Sequence, residues 1–574
     1  MAQPEPPLST PTYRPADQFS DTTRGLCSAA YVDIEFANAV IGEVLESERR
    51  AVPPSFGFDL DPVVRHCLRA RRLLIIRYAL VTTILVAGMC IGGWWTLSWL
   101  SLCAIIMMAR AGRGGRLRAL RRGAFAVLIL WMICFALLLA VAFVLGFLLD
   151  AVPEWLGERL LQLADTPTAS NLAAQLTYGA SGLVVVAPVL LTITMAVTLF
   201  ISRWFAYNIM FSELAPGISA VVPRTGNDRV ERRLATVARM QRGNIAVHDT
   251  DPFAGAGRLK HGWSFAIRLR PRDGDRVELD PHELNRRVNT AVLGMRDTRL
   301  RDGERIPNIY TVPYVAADGS RRSDDPLIDR QTHTPHTRAS DETVAAIEAC
   351  PQGGLRHYLR VVVPANGKEI TTRAGVPILP AQDSGVSVTA FVHLAVEGGL
   401  LYAEFVALVL PPLRNEYRIA DNLRADRVLS RAWSDTLRLY VLDNLLAPWL
   451  LLRVGWDAMW LSSRMARSAR NADEWRFYDY GARFSVRDRA GRETGKFMQK
   501  LDSSKYIKLV DKTVTEAIIG YLREQGVDTS EFETNVQNYT FGDLVFHGGV
   551  QTFGGTNVVT QHNRQPAGAP KSGA

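Results

Sequence analysis

The segment from His248 to Gly257 holds the residues best suited to chemistry in this chain of 574 residues. Its sequence, HDTDPFAGAG, places the carboxylates of Asp249 and Asp251 two residues apart, ahead of a Gly-x-Gly pair at Gly255 and Gly257. Paired carboxylates bind Mg²⁺, and glycine lets backbone N–H groups approach a phosphate. These four residues are therefore the candidate binding site for a phosphorylated or nucleotide ligand.

The same segment also fits a plainer interpretation, in which a strand ends in a Pro-Gly turn. It lacks the Lys-Ser/Thr of a P-loop and the full GxGxxG of a dinucleotide site. His333 and His336 lie in a polar stretch with no third ligand nearby, so we predict no metal site and no cofactor. The chain has no GxSxG, HExxH or kinase motif, which favours a non-enzymatic protein.

The composition excludes several classes of protein. Apolar residues make up 48% of the chain and charged residues 21%, which rules out a disordered or collagen-like chain. None of the six cysteines forms a CxxC pair or a Cys/His cluster, so a disulfide scaffold is excluded as well. Much of the net charge of +9 comes from arginines that flank apolar runs, and we expect no nucleic-acid partner.

Long apolar runs predict a membrane region over residues 73–203. The first run is long enough for two short crossings, and Gly92 and Gly93 near its middle suggest a tight helical hairpin. Pro188 is expected to kink the last run. We therefore predict four transmembrane helices that are packed as hairpins, at about 73–91, 94–109, 123–149 and 176–201.

The charges between these runs predict an orientation. Arginines precede the first run and fill the loop that follows it, whereas the loop 150–175 is acidic. By the positive-inside rule, both termini face the cytoplasm of a multi-pass protein in the cell membrane, with no cleaved signal peptide. A transporter or channel is less favoured, because Arg77 is the one ionisable residue within these runs.

The remaining chain is predicted to be soluble. Residues 1–23 are expected to be disordered, residues 24–72 to form a cytoplasmic helical segment, and residues 216–430 to form an α+β domain. Its sheet is expected to be largely antiparallel, with Gly398 and Gly399 in a hairpin turn and residues 316–338 in a mobile loop. The predicted strands cover residues 244–248, 263–269, 310–315, 355–363, 387–396 and 400–410.

The C-terminal third is predicted to be mainly helical. Residues 431–470 carry both tryptophans and charges, which indicates amphipathic helices, divided at Pro448, on the membrane surface or against the domain. Residues 471–534 form a helical segment with an amphipathic helix that Gly526 ends. Residues 564–574 are predicted to be disordered.

Several stretches carry a family resemblance: NIAVHDTDPFAGAG, GWSFAI, YGARFSV with the helix after it, GVDTSEF, and the N-terminal YVDIEFANAVI. In these stretches the chain is similar to a family of uncharacterised actinobacterial multi-pass membrane proteins. The resemblance covers most of the chain after about Pro216 and brings no assigned activity. It implies an actinobacterial cytoplasmic membrane.

Residues 535–563 form a β-prone tail. NYTFGDLVF and VQTFGGTNVVTQ are almost uncharged, and glycine pairs separate them. The tail resembles the short C-terminal motifs of bacterial amyloid-signalling proteins, which pair homotypically, although a hairpin docked on the protein's own sheet is equally consistent. The predicted interaction residues are Phe541, Phe546, Val550, Gln551, Phe553, Val558 and Val559.

These observations predict a membrane-anchored cytoplasmic scaffold or signalling protein that is not an enzyme. Its expected partners are the lipid bilayer and either a second copy of the chain or another protein, bound through the tail. The alternative is a membrane-bound enzyme or sensor that binds a phosphorylated or nucleotide ligand at Asp249, Asp251, Gly255 and Gly257. A transporter or channel is a third, weaker alternative.

Overall fold

A computed structural model describes residues 6–111, 183–271, 279–297, 299–300, 305–366, 370–372, 376–379, 383–492 and 496–540. The predicted crossing at 123–149 and the tail residues from Phe541 onward lie outside these ranges.

The N-terminal segment is folded from β1 (Leu8–Ser9) onward. Ser20 caps α1 (Asp21–Val32), and Asp33 caps α2 (Ile34–Ile41), which leads into a π-helical turn (Gly42–Glu46). The carboxylate of Asp33 accepts hydrogen bonds from the amides of Glu35 and Phe36, and this cap separates α2 from α1. Because β1 and the start of α1 are ordered, the prediction of a disordered N terminus through residue 23 is wrong for these elements.

A single helix, α3 (Leu60–Ala111), runs through the first apolar stretch without a break. The hairpin predicted at Gly92 and Gly93 is therefore wrong. Each glycine costs an α-helix only about 1 kcal/mol relative to alanine, which does not outweigh the apolar residues on either side. The last apolar run forms α4 (Leu183–Glu213), with Pro188 in its first turns.

Among the described residues, two helical stretches are long and apolar enough to cross a membrane, Leu60–Cys90 and Leu190–Glu213. They support a membrane location, although four crossings were predicted. The orientation of the termini stays a prediction.

A third long helix packs across the first two. Residues Val428–Met459 form α9 and continue through Pro448, so the predicted division at this proline is wrong. Helix α9 contacts both α3 and α4. Ala447 is fully buried in a small apolar cluster with Val81 of α3 and with Met195 and Leu199 of α4. This close packing supplies the energy that lets the helix tolerate an internal proline.

A large apolar core joins the N-terminal segment to the bases of these helices. It contains Leu26 of α1, Ile41 of α2, Val64 of α3 and Met210 of α4. Four further helices contribute to this core or lie beside it: α5 (Asp228–Met240), α8 (Ile419–Asn422), α10 (Leu461–Glu474) and α11 (Val486–Arg489).

The main sheet has six strands in the order β2-β4-β7-β10-β11-β3. The pairs are antiparallel except for β2 with β4, which are parallel, so the sheet is mixed. The six strands overlap the six that the sequence predicted. Their bounds are Ile245–His248 for β2, Arg258–Arg268 for β3, Tyr310–Asp318 for β4, Leu355–Asn366 for β7, Asp383–Glu397 for β10 and Leu400–Leu410 for β11.

Helices cover one face of this sheet. The predicted amphipathic helix is α12 (Phe497–Glu524), and it packs with α6 (Pro281–Gly294) over the strands. Val388 and Phe405 from the sheet and Val514 from α12 are buried in this second core. Helix α7 (Asp341–Ala349) lies beside α6.

Short strands complete the fold in the region that was predicted to be a mobile loop. β5 (Ser320–Arg322) pairs with β12 (Phe477–Asp479), and β6 (Arg338–Ala339) pairs with β1. A two-residue strand β8 (Ile370–Thr371) pairs with β9 (Pro377–Leu379). The pairings of β5 and β6 correct the prediction of a mobile loop at residues 316–338.

The last described element, α13 (Ser530–Thr540), corrects the proposed start of the tail. Residues 535–540 are helical here, although the sequence placed them in the β-prone tail. The fully buried ring of Phe532 lies edge-on to Trp263 and Phe265 of β3 and holds this helix on the sheet.

Arg233 of α5 fixes the N-terminal segment to the rest of the fold. Its side chain donates hydrogen bonds to the carbonyl oxygens of Val44, Ser47 and Arg50, at 3.0, 3.0 and 2.9 Å. Burial lowers the pKa of Arg233 to about 10, so the guanidinium still carries its charge at neutral pH. A buried cation here satisfies carbonyl groups that the end of the π-helical turn leaves without helical partners.

We expect Arg233→Met to lower the free energy of unfolding by about 3 kcal/mol, because three buried carbonyl groups lose a charged donor. Arg232, which is exposed on the same helix, is the matched control, and Arg232→Met should change stability by less than about 0.5 kcal/mol. Thermal unfolding of the purified protein measures both. Equal midpoints for the two variants would contradict this role of Arg233.

Candidate functional site

The candidate ligand segment crosses the second face of the sheet, between β2 at one side and β3 at the other. Aromatic packing holds it in place. The ring of Phe253 lies 4.4 Å from that of Phe391 and 5.3 Å from that of Tyr358, measured between centroids. The hydroxyl of Tyr314 donates to the Pro252 carbonyl oxygen over 2.6 Å.

Three of the four predicted ligand residues have a hydrogen-bond partner within the protein. Asp249 Oδ2 accepts a hydrogen bond from Arg483 Nε at 2.7 Å. Asp251 Oδ1 accepts from the Phe253 amide at 2.9 Å, which closes a tight turn. The Gly255 amide donates to Asp488 Oδ2 at 2.8 Å.

Gly257 is explained by close packing. A Cβ atom there would lie 2.3 Å from the Val409 carbonyl oxygen of β11, and its φ of +109° also favours glycine. The loop therefore uses its glycines to approach the sheet and uses one amide to bind a carboxylate of the protein itself. A phosphate at Gly255 would have to displace Asp488. Burial raises the pKa of Asp251, which disfavours the ionised form that Mg²⁺ requires.

The YGARFSV segment, residues 480–486, lies against this loop. The Ala482 amide donates to the Val247 carbonyl oxygen at 2.9 Å, and the Ala51 amide donates to the Tyr480 carbonyl oxygen at 2.8 Å. A Cβ on Gly481 would lie 2.4 Å from the Asp249 amide nitrogen. The segment thus adds backbone beside β2 and connects it to the N-terminal segment.

A line of alternating charges runs along this junction. Arg483 contacts Asp249 and also Asp479, at 2.7 and 2.8 Å, and Arg50 contacts Asp479 at 2.9 Å. Asp249 was predictable from its neighbours in the chain, whereas Arg483 was not, because it lies 234 positions away. A shallow apolar cavity of about 300 Å³, including open solvent at its mouth, lies beside Gly255. Its lining includes Val44, Val52, Phe56, Phe58, Leu60 and Phe484.

A second group of polar residues lies on the same face of the sheet, nearer the β10–β11 hairpin. Tyr358 Oη donates to Glu404 Oε2 at 3.4 Å, and Ser264 Oγ donates to Tyr402 Oη at 2.9 Å. The imidazole of His393 lies between the two tyrosine rings, at 5.1 and 5.8 Å. Burial raises the pKa of Glu404 and lowers that of His393.

This group was not predicted from the sequence, although β11 carries a signal for it. Tyr402 and Glu404 alternate along β11 with the buried Leu401, Ala403 and Phe405. A polar position that recurs every second residue in an apolar strand marks the face that the helices do not cover. The aromatic rings and the carboxyl group can bind a small polar or cationic group.

A third cluster lies where α6 and α7 meet β7 of the sheet. Glu348 Oε2 contacts His282 Nδ1 at 2.6 Å, and Glu348 Oε1 lies 3.1 Å from His357 Nδ1 without hydrogen-bond geometry. Burial is the main cause that lowers the pKa of His357 to about 3, and the nearby His393 and His282 act in the same direction. His357 is therefore a neutral, buried imidazole.

His333, one of the two histidines considered as metal ligands, lies near one carboxylate. His333 Nδ1 lies 3.8 Å from Asp473 Oδ1. In the parts of the chain that the structure describes, no group of three or more His, Cys, Asp or Glu side chains is arranged to hold a metal ion. The predicted tail residues, from Phe541 to Val559, lie outside these parts.

Comparison with known proteins identifies one family. The AbeC-like domain matches residues 262–559, which is just over half of the chain and includes β3, the rest of the sheet after it, α9 and α12. No curated protein and no solved structure matches the chain. The match fits the predicted resemblance to an uncharacterised family, while the actinobacterial origin and the amyloid-like tail stay predictions.

The glycine contacts predict opposite effects for two substitutions. Gly481→Ala should destabilise the protein by roughly 1–3 kcal/mol, because its Cβ would overlap the backbone of His248 and Asp249. Gly520 lies in α12 with no atom within 4 Å of its Cβ position, and Gly520→Ala should stabilise by about 1 kcal/mol. Thermal unfolding midpoints compare the two. A neutral Gly481→Ala variant would contradict the tight packing of the YGARFSV segment.

The buried His357 predicts a loss of stability in acid. The pKa of His357 is about 3 in the folded protein and about 6.5 in the unfolded chain. Between these two values, His357 is protonated in the unfolded chain and neutral in the folded protein, so lowering the pH favours unfolding. Stability should fall by about 1.4 kcal/mol per pH unit from this residue, or about 2 kcal/mol between pH 7 and pH 5.

We expect His357→Gln to reduce this acid sensitivity, measured as the difference between unfolding midpoints at pH 7 and pH 5. His333, which is about half exposed, is the control, and His333→Gln should keep the wild-type pH dependence. An unchanged pH dependence for His357→Gln would contradict the assignment.

Proposed function

The chain belongs to the AbeC-like domain family, and from this premise we propose that it is a membrane-anchored scaffold or signalling protein. Its soluble domain is held rigidly at the membrane, and its C-terminal tail binds a second copy of the chain or another protein. We place the soluble domain and both termini in the cytoplasm. The proposal assigns no catalytic activity to the chain.

The observation that carries this proposal is the continuity of α3. Its first turns are buried in the soluble core, where Val63, Val64 and Cys67 are fully inaccessible to solvent. Further along the same helix, Ile76, Leu80 and Val86 are about half exposed, as expected for side chains that face lipid. An unbroken helix connects the two environments, so the soluble domain cannot swing freely on a linker.

Helix α9 strengthens this connection, because it belongs to the soluble part in sequence but packs on both apolar helices. Its outer face carries large exposed apolar side chains, among them Trp433, Trp449 and Trp456. Tryptophan is enriched at the interface between membrane and water. We propose that α9 adds to the anchor by packing on the apolar parts of α3 and α4.

The residue that precedes the predicted tail lies in a helix that packs on the sheet. Helix α13 is held on β3 by Phe532, and its last residue, Thr540, immediately precedes the predicted interaction residues. A rigid body that holds the start of a short β-prone segment in one place suits capture of a partner. This placement supports a scaffold better than an enzyme.

The alternative, an enzyme or sensor for a phosphorylated or nucleotide ligand, remains a prediction. The contact of the Gly255 amide with Asp488 weighs against it, because this amide already has an anionic acceptor. The cavity beside Gly255 is lined mainly by apolar side chains, which does not favour a charged ligand either.

We expect removal of residues 541–574 to abolish self-association or partner capture while the protein stays in the membrane. Removal of residues 565–574, which leaves the predicted interaction residues intact, is the matched control and should have no effect. Cross-linking in membranes and fractionation of the cells measure these two properties. Unchanged cross-linking after the longer truncation would contradict the role of the tail, and release into the soluble fraction would contradict the anchor.

A further inference from the structure

Two arginines lie between the three long helices, at the end of the bundle nearest the soluble domain. Arg77 of α3 donates from Nε to Ser202 Oγ of α4 over 2.6 Å. Arg203 of α4 donates from Nη2 to Asp443 Oδ2 of α9. Arg77 also lies within electrostatic range of both Asp443 and Arg203, so these residues form one cluster.

The cluster carries an excess of positive charge. Two guanidinium groups face one carboxylate, Asp443, while the neighbouring Asp435 of α9 is balanced by Arg431 and by a hydrogen bond from Tyr207. Within the described chain, the cluster therefore lacks one anion. A cation left without a counter-charge between apolar helices is costly, which favours the binding of an anion from outside.

One donor of the cluster is buried and has no acceptor. Arg203 is 5% exposed, and its Nη1 atom has no hydrogen-bond partner among the described residues. Ser202 Oγ accepts the bond from Arg77, which leaves its hydroxyl hydrogen free for an acceptor. The Arg77 side chain is partly exposed although its guanidinium is buried, so an acceptor that enters the cluster has to approach along that side chain.

The side chains around the cluster indicate that the acceptor belongs to a lipid headgroup. Ile76, Ile201 and Phe205, next to the cluster on α3 and α4, expose about half of their surface. The rings of Phe200 and Trp433 pack edge to face at 5.6 Å on the same flank. Apolar side chains, aromatic rings and arginines at one level are typical of the headgroup region of a bilayer.

We propose that Arg77, Ser202 and Arg203 bind the phosphate group of an anionic phospholipid. The phosphate oxygens accept from Arg203 Nη1, from the Ser202 hydroxyl and from Arg77, and the acyl chains lie on the exposed faces of α3 and α4. This inference rests on the proposed membrane anchor and names the lipid class that the anchor prefers.

The test uses the full-length protein in nanodiscs of phosphatidylcholine that contain one fifth phosphatidylglycerol. Native mass spectrometry compares how much of each lipid stays bound. The wild-type protein should retain phosphatidylglycerol in preference to phosphatidylcholine, and Arg77→Gln should weaken this preference about tenfold, as expected for one charged hydrogen bond. Arg77→Lys, which keeps the charge, should retain more of the preference than Arg77→Gln.

Arg453→Gln is the matched control, because it removes one positive charge from an exposed position on α9. It should keep the wild-type preference. An equal preference in wild type and Arg77→Gln would overturn the proposal. A second result would also overturn it. If inorganic phosphate stabilises the wild-type protein in detergent but not Arg77→Gln, and neither protein prefers phosphatidylglycerol, then the ligand of the site is a free anion.

Failure of this site is distinguishable from failure of the anchor. Membrane fractionation comes first, and a protein found in the soluble fraction contradicts the anchor itself. A protein that stays in the membrane but shows no preference for phosphatidylglycerol contradicts only the lipid site.

Discussion

Helix α3 is buried in a protein core at its start and exposes apolar side chains further along, and the rest of the structure depends on this constraint. The first turns of α3 are buried among α1, α2 and α5, whereas its later turns present apolar side chains outward. Because backbone hydrogen bonds continue through the helix, any movement of the soluble core is transmitted to the apolar part. The N-terminal segment and the bases of α4 and α9 pack around this helix.

Buried cations mark the places where the parts of the protein meet. Arg233 connects α5 to carbonyl groups of the N-terminal segment, and Arg203 connects α4 to Asp443 of α9. Arg360 of β7 lies 4.0 Å from the centroid of the Phe56 ring, which joins the sheet to the chain just before α3. Loss of any of these contacts would destabilise the fold, because the guanidinium would then be buried without a partner that replaces its hydration. They give the junctions a single arrangement.

Local sequence patterns predicted the local structure well. The strands β7, β10 and β11 were predictable because alternating Val, Ala and Phe residues fit a half-buried sheet, and Gly398 with Gly399 fits the turn between two of them. Gly92–Gly93 and Pro448 were misread as breaks. Their local cost is small compared with the energy of the apolar packing along α3 and α9, and a sequence pattern does not show that packing.

Contacts between distant residues explain the other differences. The local sequence around Gly255 resembles a phosphate-binding loop. It does not show that the Gly255 amide binds Asp488, which lies 233 positions away. The parallel pairing of β2 with β4 joins strands that are separated by β3 and α6, so local alternation carries no information about it. The charge pair between Arg203 and Asp443 spans 240 positions, so the local sequence around either residue carries no information about it.

The rigid coupling of the soluble domain to the apolar helices is the central claim, and a distance measurement tests it most directly. Spin labels are introduced at Arg232 on α5 and at Met89 on α3, both of which are exposed, and pulsed electron paramagnetic resonance reports the distribution of distances in nanodiscs. One narrow distribution, the same in detergent and in lipid, is the result that the continuous α3 predicts. A broad or two-peaked distribution would show that the soluble domain moves independently and would contradict the account.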